Sequence, residues 1–426
     1  SFSMVEGQSE SQHIQVAFFS KYEDIPGVEN SVFDVPIDAD WEKLNALVNT
    51  VARTSRGDWN EKRYELLIGS TFVHAPLQDF VDENIIDFER VVRIECIDGY
   101  KPPKPKQSIE ATDWISSLQV TEKLFVATSY NGEVNIWDRK GAILARIQRE
   151  ATAVKCSCIL QKPSKGVTGL RLATGGESGT VWIEEFSGAG ESAVVAALRG
   201  HSRSVEAVSI SADGTRLLSS GFDSSLKVWN VESYEADIFQ STAPSKCKKE
   251  KKESFVTKIP MVTLSGHSDA VIGLCWSPSN AARAFSASWD HSILEWDLEL
   301  AGQVHRVGSS RAFTSLDIHP RSHDIITGST DSLPRLFDPR SNEGSLVKES
   351  FIGHKGWVSC VRWTGRDDFS FFSSSFDSTV KMWDKRSSKT PLFDLAGHED
   401  RVLCCASNQD TILSGGVDGK INVFSF

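Results

Sequence analysis

A short segment recurs seven times between residues 129 and 425, and it constrains the fold more than any other feature of this sequence. Each copy has strand-like residues, a polar turn and then a hydrophobic residue, usually aromatic. That last residue is Trp137, Ile183, Trp229, Trp296, Phe337, Trp383 or Phe424. Neighbouring copies are 41 to 46 residues apart, except for one interval of 67 residues after Trp229. Repetition at a nearly fixed period indicates a chain built from equivalent structural units.

The period of the repeat predicts the fold. A spacing of about 40–45 residues is typical of WD repeats, each of which forms a four-stranded blade of a β-propeller. We therefore predict a mainly β protein with a seven-bladed propeller over residues 113–426 and an insertion at about 234–260. The sequence stops after the third strand of the seventh unit, so that blade would have an open edge. We expect the linker over 99–112 to supply the missing strand, through residues 106–112.

Four units also contain a Gly-His pair, whose His precedes the turn Asp by 20 to 23 residues. Each of these Asp residues follows a Ser by four positions, and three of the units add the Trp of the repeat. The three predicted tetrads are His201, Ser219, Asp223 and Trp229; His267, Ser286, Asp290 and Trp296; and His354, Ser373, Asp377 and Trp383. A buried His, Asp and hydroxyl are costly singly but stabilising when they close a network.

The Ser-His-Asp sets also raise the question of catalysis. A catalytic triad would not occur four times at one spacing, so these sets indicate structural networks. In the seventh unit, Phe424 replaces Trp and leaves the network one member short. The sequence has no Gly-rich phosphate loop and no metal-ligand spacing. We therefore predict that the protein is not an enzyme.

Residues 12–98 follow a different pattern from the repeats. Alternating apolar residues predict strands at 13–20, 31–38, 63–69 and 90–98. Between the second and third strands, Asp40 is expected to cap a helix that continues to Arg53 with apolar residues on one face. The order ββαββ predicts a ubiquitin-like β-grasp (α+β) domain.

The net charge of −11 comes entirely from the first hundred residues, which hold 19 acidic and 8 basic side chains. Five carboxylates and no basic residue occur within 79–89, namely Asp79, Asp82, Glu83, Asp87 and Glu89. Such a segment repels phosphates and suits a basic protein surface or a metal ion. An ordinary solvated loop or a Ca²⁺ site are the alternatives, although the spacing of an EF-hand is missing.

The combination of these parts resembles a known family. A ubiquitin-like domain, the Pro-rich segment 101–106 and a seven-unit ring opening at Asp113 and Trp114 are similar to the eukaryotic ribosome-biogenesis family of WD repeat protein twelve. The resemblance covers nearly the whole chain. It implies a non-catalytic assembly factor for the large (60S) ribosomal subunit and rRNA maturation, located in the nucleolus and nucleoplasm of the nucleus.

The resemblance also implies partners and a site. Members of the family belong to the PeBoW complex, in which they bind a block-of-proliferation-type propeller protein that also holds pescadillo, on the pre-60S ribosomal particle. Their ubiquitin-like domain docks on the AAA ATPase midasin, where one Glu completes the coordination of Mg²⁺ held by the partner. Alignment of the last strand implies that this residue is Glu89, with Asp87 as the alternative. No cofactor of the chain's own is implied.

Other features leave further readings open. Five lysines within 246–252 favour a nuclear localisation patch, an rRNA contact or a solvated basic loop. The segments 383–386 and 337–340 match a short pattern of cullin-RING ubiquitin ligase substrate receptors, which is the alternative function. No run of eighteen apolar residues and no basic-then-apolar leader occurs, so we expect no membrane association and a reducing intracellular location for the eight cysteines.

Overall fold

The computed structural model describes residues 12–29, 31–83, 85–87, 90–161, 169–188, 191–232, 255–339 and 347–426. It consists of two compact units. The first contains residues 1–102 and 386–392, and the second contains residues 103–385 and 393–426. The segment 386–392, which belongs to the propeller by sequence position, therefore groups with the first unit.

The first unit contains a mixed five-stranded sheet and two helices. Its elements are β1 (His13–Phe19), β2 (Phe33–Pro36), α1 (Trp41–Ser55), β3 (Tyr64–Ile68), β4 (Thr71–Phe72), α2 (Leu77–Asp82) and β5 (Val92–Asp98). The strand order is β2-β1-β5-β3-β4, with β1 parallel to β5 and the other pairs antiparallel. This order, with α1 packed on the sheet, confirms the predicted β-grasp fold.

Helix α1 forms where the sequence provides both a cap and an apolar face. The Asp40 carboxylate accepts a hydrogen bond from the Lys43 N–H at 3.0 Å, which satisfies one of the unpaired donors at the helix start. Leu44, Val48 and Ala52 follow at helical spacing and are fully buried against the sheet.

Two features of the first unit differ from prediction. Residues 79–83 do not form a simple loop, because α2 includes Asp79 and Asp82. The last strand begins at Val92 and not at residue 90. The helix was not predicted because only Leu77 and Phe80 carry its apolar signal, and a six-residue helix is too short for its period to stand out.

The second unit begins with β6 (Lys104–Glu110) and continues through the first three blades. Their strands are β7 (Ile115–Val120), β8 (Leu124–Ser129), β9 (Glu133–Asp138), β10 (Ile143–Gln148), β11 (Val154–Gln161), β12 (Leu170–Gly176), β13 (Thr180–Gly188), β14 (Glu191–Arg199), β15 (Val205–Ile210), β16 (Arg216–Gly221), β17 (Ser225–Asn230), β18 (Val256–Lys258) and β19 (Val262–Ser265).

Four further blades complete the unit. Their strands are β20 (Val271–Trp276), β21 (Arg283–Ser288), β22 (Ser292–Asp297), β23 (Gly302–Gly308), β24 (Phe313–Ile318), β25 (Ile325–Ser329), β26 (Arg335–Phe337), β27 (Val347–Ser350), β28 (Val358–Trp363), β29 (Ser370–Ser375), β30 (Val380–Asp384), β31 (Phe393–Leu395), β32 (Val402–Ser407), β33 (Thr411–Gly416) and β34 (Lys420–Ser425). The described residues of this unit form seven sheets, which confirms the predicted seven blades.

The seventh sheet has the order β32-β33-β34-β6, so a strand from the start of the unit closes the ring. Strand β6 runs antiparallel to β34, with Ile109 opposite Ile421 and Lys104 opposite Ser425. The closing strand lies at 104–110 and not at the predicted 106–112, so the last three residues of the Pro-rich segment 101–106 already belong to the sheet. Pro105 is tolerated there because β6 is an edge strand.

The long interval between the third and fourth repeats also contributes to the sheets. Strand β18 pairs in parallel with β14, the outer strand of the second blade. The chain then crosses to the third blade, where β19 is the outer strand. The predicted insertion at 234–260 therefore ends in a strand that covers the edge of a neighbouring blade, and its lysine-rich part lies outside the described residues.

Apolar clusters between neighbouring blades form the core of the second unit. One cluster joins Ile109, Ile115 and Ile421 across the closure of the ring. The second strands of the blades, such as β29 and β33, are buried along their whole length and are rich in small residues because neighbours cover both faces.

Two further observations concern the cysteines and the helices. Seven cysteines within the described ranges, with Cys247 outside them, carry free thiols. Among the described residues, neither helix has the length and apolar character that spanning a bilayer requires.

Candidate functional site

The structure brings the members of each predicted tetrad together. In the third blade, His201 lies 2.8 Å from Asp223 through Nδ1 and 2.7 Å from Ser219 through Nε2, and the Trp229 indole N–H donates to Ser219 Oγ at 2.8 Å. The fourth and sixth blades repeat these distances within 0.1 Å, in the sets His267, Ser286, Asp290, Trp296 and His354, Ser373, Asp377, Trp383.

A neutral imidazole gives these networks one consistent order of donors. Nδ1–H donates to the carboxylate, the Ser hydroxyl donates to Nε2, and the Trp N–H donates to the Ser oxygen. Burial lowers the pKa of His267, against the opposing effect of Asp290, which favours this neutral form. Burial opposes ionisation of Asp223, but hydrogen bonds from His201, Ser225 and the Ser202 N–H hold the pKa of that carboxyl well below its usual value.

The tetrads are closed structural units and not reactive sites. The side chains of His201, His267 and His354 have no exposed surface, so a substrate cannot reach them. The second carboxylate oxygen of Asp223 accepts from the Ser225 N–H at 3.2 Å and so ties the network to the turn that follows the second strand. Each tetrad therefore joins the second and third strands of its blade to the loop that precedes the first strand.

Two blades have incomplete or altered networks. In the seventh blade, His398 contacts Asp418 at 3.0 Å and Ser414 at 2.8 Å, and Phe424 occupies the position of the Trp. In the fifth blade, which lacks a Gly-His pair, Arg335 takes the place of the histidine: its guanidinium pairs with Asp331 at 2.5 Å. Arg335 was not predicted, because it lies on the third strand while the histidine it replaces would lie in the loop before the first strand, and no spacing rule marks such a replacement.

Replacement of Arg335 by methionine is expected to destabilise the propeller by about 2 kcal/mol, because the partly buried Asp331 loses its partner. Burial opposes ionisation of Asp331, but the bonds from Arg335 and Ser329 hold its pKa below that of a free aspartate. The loss should therefore persist at any pH above 3.8 and shrink as the pH falls below it.

Chemical denaturation of the single variants and of the double variant Arg335→Met, Asp331→Asn measures the pair. The double variant should recover part of the loss, because it leaves no unpaired charge. Strictly additive losses of stability in the double variant would show that Arg335 and Asp331 do not stabilise the blade as a pair.

The second blade has a different buried network. Arg149 pairs with the fully buried Glu184 at 2.5 Å, while burial, only partly offset by Arg149, raises the pKa of the Glu184 carboxyl. Glu184 follows Ile183, the residue that replaces the repeat's aromatic. The blade whose sequence lacks a tetrad therefore contains a buried ion pair.

The acidic segment of the first unit is anchored by its apolar residues. Leu77 and Phe80 are buried, and Ile85 and Ile86 pack against the core, with the Ile85 N–H bonded to the Phe80 carbonyl at 2.8 Å. The acidic side chains point the other way and are exposed, namely Asp79, Asp82, Glu83 and Asp87.

Of the two predicted partner-binding residues, only one lies within the described part of the chain. Asp87 is exposed, and its carboxylate lies 3.8 Å from the Arg90 guanidinium. Glu89 lies outside the described residues. Within the described ranges, no group of three or more His, Cys, Asp or Glu side chains is placed to hold a metal ion.

The aromatic residues of the pattern behind the alternative function are buried. Trp383 and Phe337, which open the two short segments, are both buried in the propeller core. Arg340, which ends one of them, lies outside the described residues.

Comparison with known proteins agrees with the two-part architecture. The NLE (NUC135) domain family matches residues 14–81, and the WD domain, G-beta repeat family matches residues 192–230, 258–297, 344–384 and 389–425. A solved WD40 β-propeller domain of Doa1 superimposes with a TM-score of 0.61 at 16% identity, covering 76% of this chain and 97% of that one. At this identity, the likeness concerns the fold alone.

Curated relatives match over nearly the full length. A protein of Caenorhabditis briggsae named ribosome biogenesis protein WDR12 homolog is 43% identical, over 97% of this chain and 95% of its own length. Proteins of the same name from Brugia malayi and Aedes aegypti are 42% and 32% identical, over 96% and 99% of this chain and 94% and 97% of their own lengths.

Proposed function

Because the chain belongs to the ribosome biogenesis protein WDR12 family, we propose that it is a non-catalytic assembly factor for the large ribosomal subunit. Its propeller scaffolds a PeBoW-type complex by binding a block-of-proliferation-type propeller protein and, through it, pescadillo on the pre-60S particle. Its β-grasp unit docks on midasin, which removes the complex from the particle. The protein acts in the nucleolus and nucleoplasm.

The observation that carries the proposal is the anchored acidic segment on the first unit. Its apolar residues Phe80 and Ile85 fix the backbone to the core, while Asp82, Glu83 and Asp87 are held in solvent. A carboxylate on such a segment loses little conformational freedom when it enters a partner's site. A hard divalent cation with an open coordination position accepts a carboxylate oxygen.

The Mg²⁺ in this proposal belongs to the partner. Glu89 is the proposed ligand, and Asp87 is the alternative two residues earlier.

Replacement of Glu89 by alanine is expected to weaken Mg²⁺-dependent binding to the purified midasin adhesion domain at least about 100-fold, as for other buried hot-spot charges. Titration calorimetry with and without a chelator measures the effect. Glu83→Ala is the matched control, because it removes an exposed carboxylate of the same segment and should leave the affinity unchanged.

Wild-type affinity in Glu89→Ala would refute the assignment of this residue. If Asp87→Ala instead abolishes binding, the ligand is Asp87. If wild-type protein does not bind the adhesion domain in Mg²⁺, the docking proposal itself fails. Unchanged melting temperatures of the variants, followed by circular dichroism, separate loss of binding from loss of folding.

A further inference from the structure

The segment 386–392 lies against strand β4, the edge strand of the β-grasp sheet, within the first unit. The Phe72 N–H donates to the hydroxyl oxygen of Ser387 at 3.3 Å and to that of Thr390 at 3.2 Å. An open sheet edge presents unpaired backbone groups, and here two hydroxyls satisfy one of them. We call residues 386–392 the edge segment.

Further contacts hold the edge segment to the first unit. The Ser388 N–H donates to the Ser70 carbonyl at 3.2 Å. The Arg386 guanidinium donates to the Tyr100 hydroxyl at 3.4 Å and lies over the ring of Tyr22, 5.7 Å from its centre. The edge segment contains no helix or strand of its own, because β30 ends before it and β31 begins after it. Such a segment opens locally at a lower cost than the strands beside it.

The type of acceptor makes this contact open to chemical change. A sheet edge is usually paired by backbone carbonyls, which no protein kinase modifies. The acceptors here are side-chain hydroxyls, and the oxygens of Ser387 and Thr390 also lie 3.1 Å from each other. Phosphorylation of either hydroxyl would bring about two negative charges beside the Phe72 N–H. The pairing of β4 therefore depends on groups that a kinase can alter.

The sequence marks Thr390 as the acceptor. Of the fourteen prolines in the chain, only Pro278 and Pro391 come directly after a serine or threonine. Proline-directed protein kinases select a proline at this position, where the missing N–H needs no hydrogen-bond partner in the kinase. The proline also biases Thr390 toward the extended backbone in which kinases hold their substrates.

Burial separates Thr390 from the other hydroxyls. Ser387 is fully buried, and Ser277, which precedes Pro278, is only 5% exposed in the connection between β20 and β21. Thr390 is half-buried, and the preceding Lys389 is exposed. A kinase can therefore reach Thr390 once the edge segment opens, without disturbing a strand.

A phosphate on Thr390 is incompatible with the closed contact. Its charged oxygens each need hydrogen-bond donors, whereas Phe72 offers one N–H and Ser387 offers one O–H at this place. The ester oxygen is also a weaker acceptor than a hydroxyl oxygen, because phosphorus withdraws its electron density. Water can solvate the phosphate fully only after the edge segment leaves the sheet, so the modified state favours the open form.

We propose that Thr390 is a phosphorylation site of a proline-directed protein kinase and that its modification detaches the edge segment from β4. In the transfer, Thr390 Oγ1 attacks the γ-phosphorus of ATP, the bond from that phosphorus to ADP breaks, and the hydroxyl proton passes to a base of the kinase. The first unit then keeps its chain connection at residue 102 but loses the edge segment. This inference is independent of the proposed function, because it depends on contacts within the first unit.

The test treats the full-length chain with ATP and, in turn, a cyclin-dependent kinase and a mitogen-activated kinase. Mass spectrometry of proteolytic peptides is expected to find phosphate on Thr390 and none on Ser277. Thr390→Val removes the hydroxyl at nearly constant volume and should abolish the modification, while Thr390→Ser should restore it. Ser277→Ala is the matched control, because it removes the other acceptor before a proline and should leave phosphorylation of Thr390 unchanged.

Hydrogen exchange measures the detachment. Phosphorylation is expected to speed exchange in the peptide that contains Phe72 about tenfold or more, because the Phe72 N–H loses its acceptors. The peptide that contains Ile94, in the central strand β5, should keep its rate. Thr390→Glu introduces a negative charge without a kinase and should speed exchange of the Phe72 peptide as well, whereas Thr390→Ser should behave like wild type before treatment.

Three results would overturn the inference. The first is an absence of phosphate on Thr390 after treatment of the wild-type chain with both kinases. The second is phosphorylation of Thr390 that leaves exchange of the Phe72 peptide unchanged or slows it, because the edge segment would then still cover β4. The third is an equal rise in exchange of the Ile94 peptide, because the modification would then unfold the sheet and not detach the edge segment.

Discussion

Deletion of residues 104–110, which removes the whole of β6, is expected to abolish cooperative thermal unfolding of the propeller. Strand β34 would lose its only outer neighbour within the described residues, and its backbone groups would face solvent along an open edge. The cluster that joins the first and seventh blades would also lose Ile109. The ring is held together by contacts between successive blades, so no other contact can replace the pairing of β6 with β34.

A point variant measures the same closure without changing the length of the chain. Ile109 is buried opposite Ile421, so Ile109→Ala should lower the free energy of unfolding by about 2–4 kcal/mol. Glu110→Ala is the control, because the neighbouring side chain is exposed and should change it by less than about 0.5 kcal/mol. Urea denaturation gives both values. A deletion variant that melts like wild type would show that β6 does not hold the ring closed.

Replacement of Trp383 by alanine is the second large effect, with an expected loss of about 4 kcal/mol in the free energy of unfolding. The indole is fully buried and packs against Phe351 and Phe371. Its N–H donates to Ser373 at 2.7 Å, so the substitution opens a cavity and also leaves the tetrad one donor short.

A pair of controls separates the ring from the hydrogen bond. Trp383→Phe reproduces the arrangement of the seventh blade, where Phe424 stands at this position, and should cost only about 1–2 kcal/mol. Phe424→Ala removes a buried ring that makes no such bond, and its loss should lie between the two. If Trp383→Phe is as damaging as Trp383→Ala, the hydrogen bond and not the ring carries the stability.

The sequence predicted the blades well because each blade is a local unit. His354, Ser373, Asp377 and Trp383 lie within thirty residues of one another, and their spacing reflects strands of fixed length joined by short turns. The β-grasp order was predictable for the same reason, since β1, β2 and α1 show their own periods. In both cases the pattern depends on contacts between neighbours in the chain.

Features that depend on distant contacts escaped prediction. The parallel strand β18 covers a blade that ends more than fifty residues earlier, and three residues carry too little pattern to reveal it. Arg335, on the third strand, replaces a histidine from the loop before the first strand, so no spacing marks the substitution. The short helix α2 is stabilised by the core beneath Leu77 and Phe80 and not by its own period.

The repeat between residues 129 and 425 determined the number of blades, the networks inside them and the need for a closing strand. These follow from local spacing and from the rule that an exposed sheet edge must be paired. The tertiary structure alone decided what covers the edge of the β-grasp sheet. Ser387 and Thr390 are more than three hundred residues from Phe72 in the chain, and a contact between such distant segments leaves no spacing that the sequence could reveal.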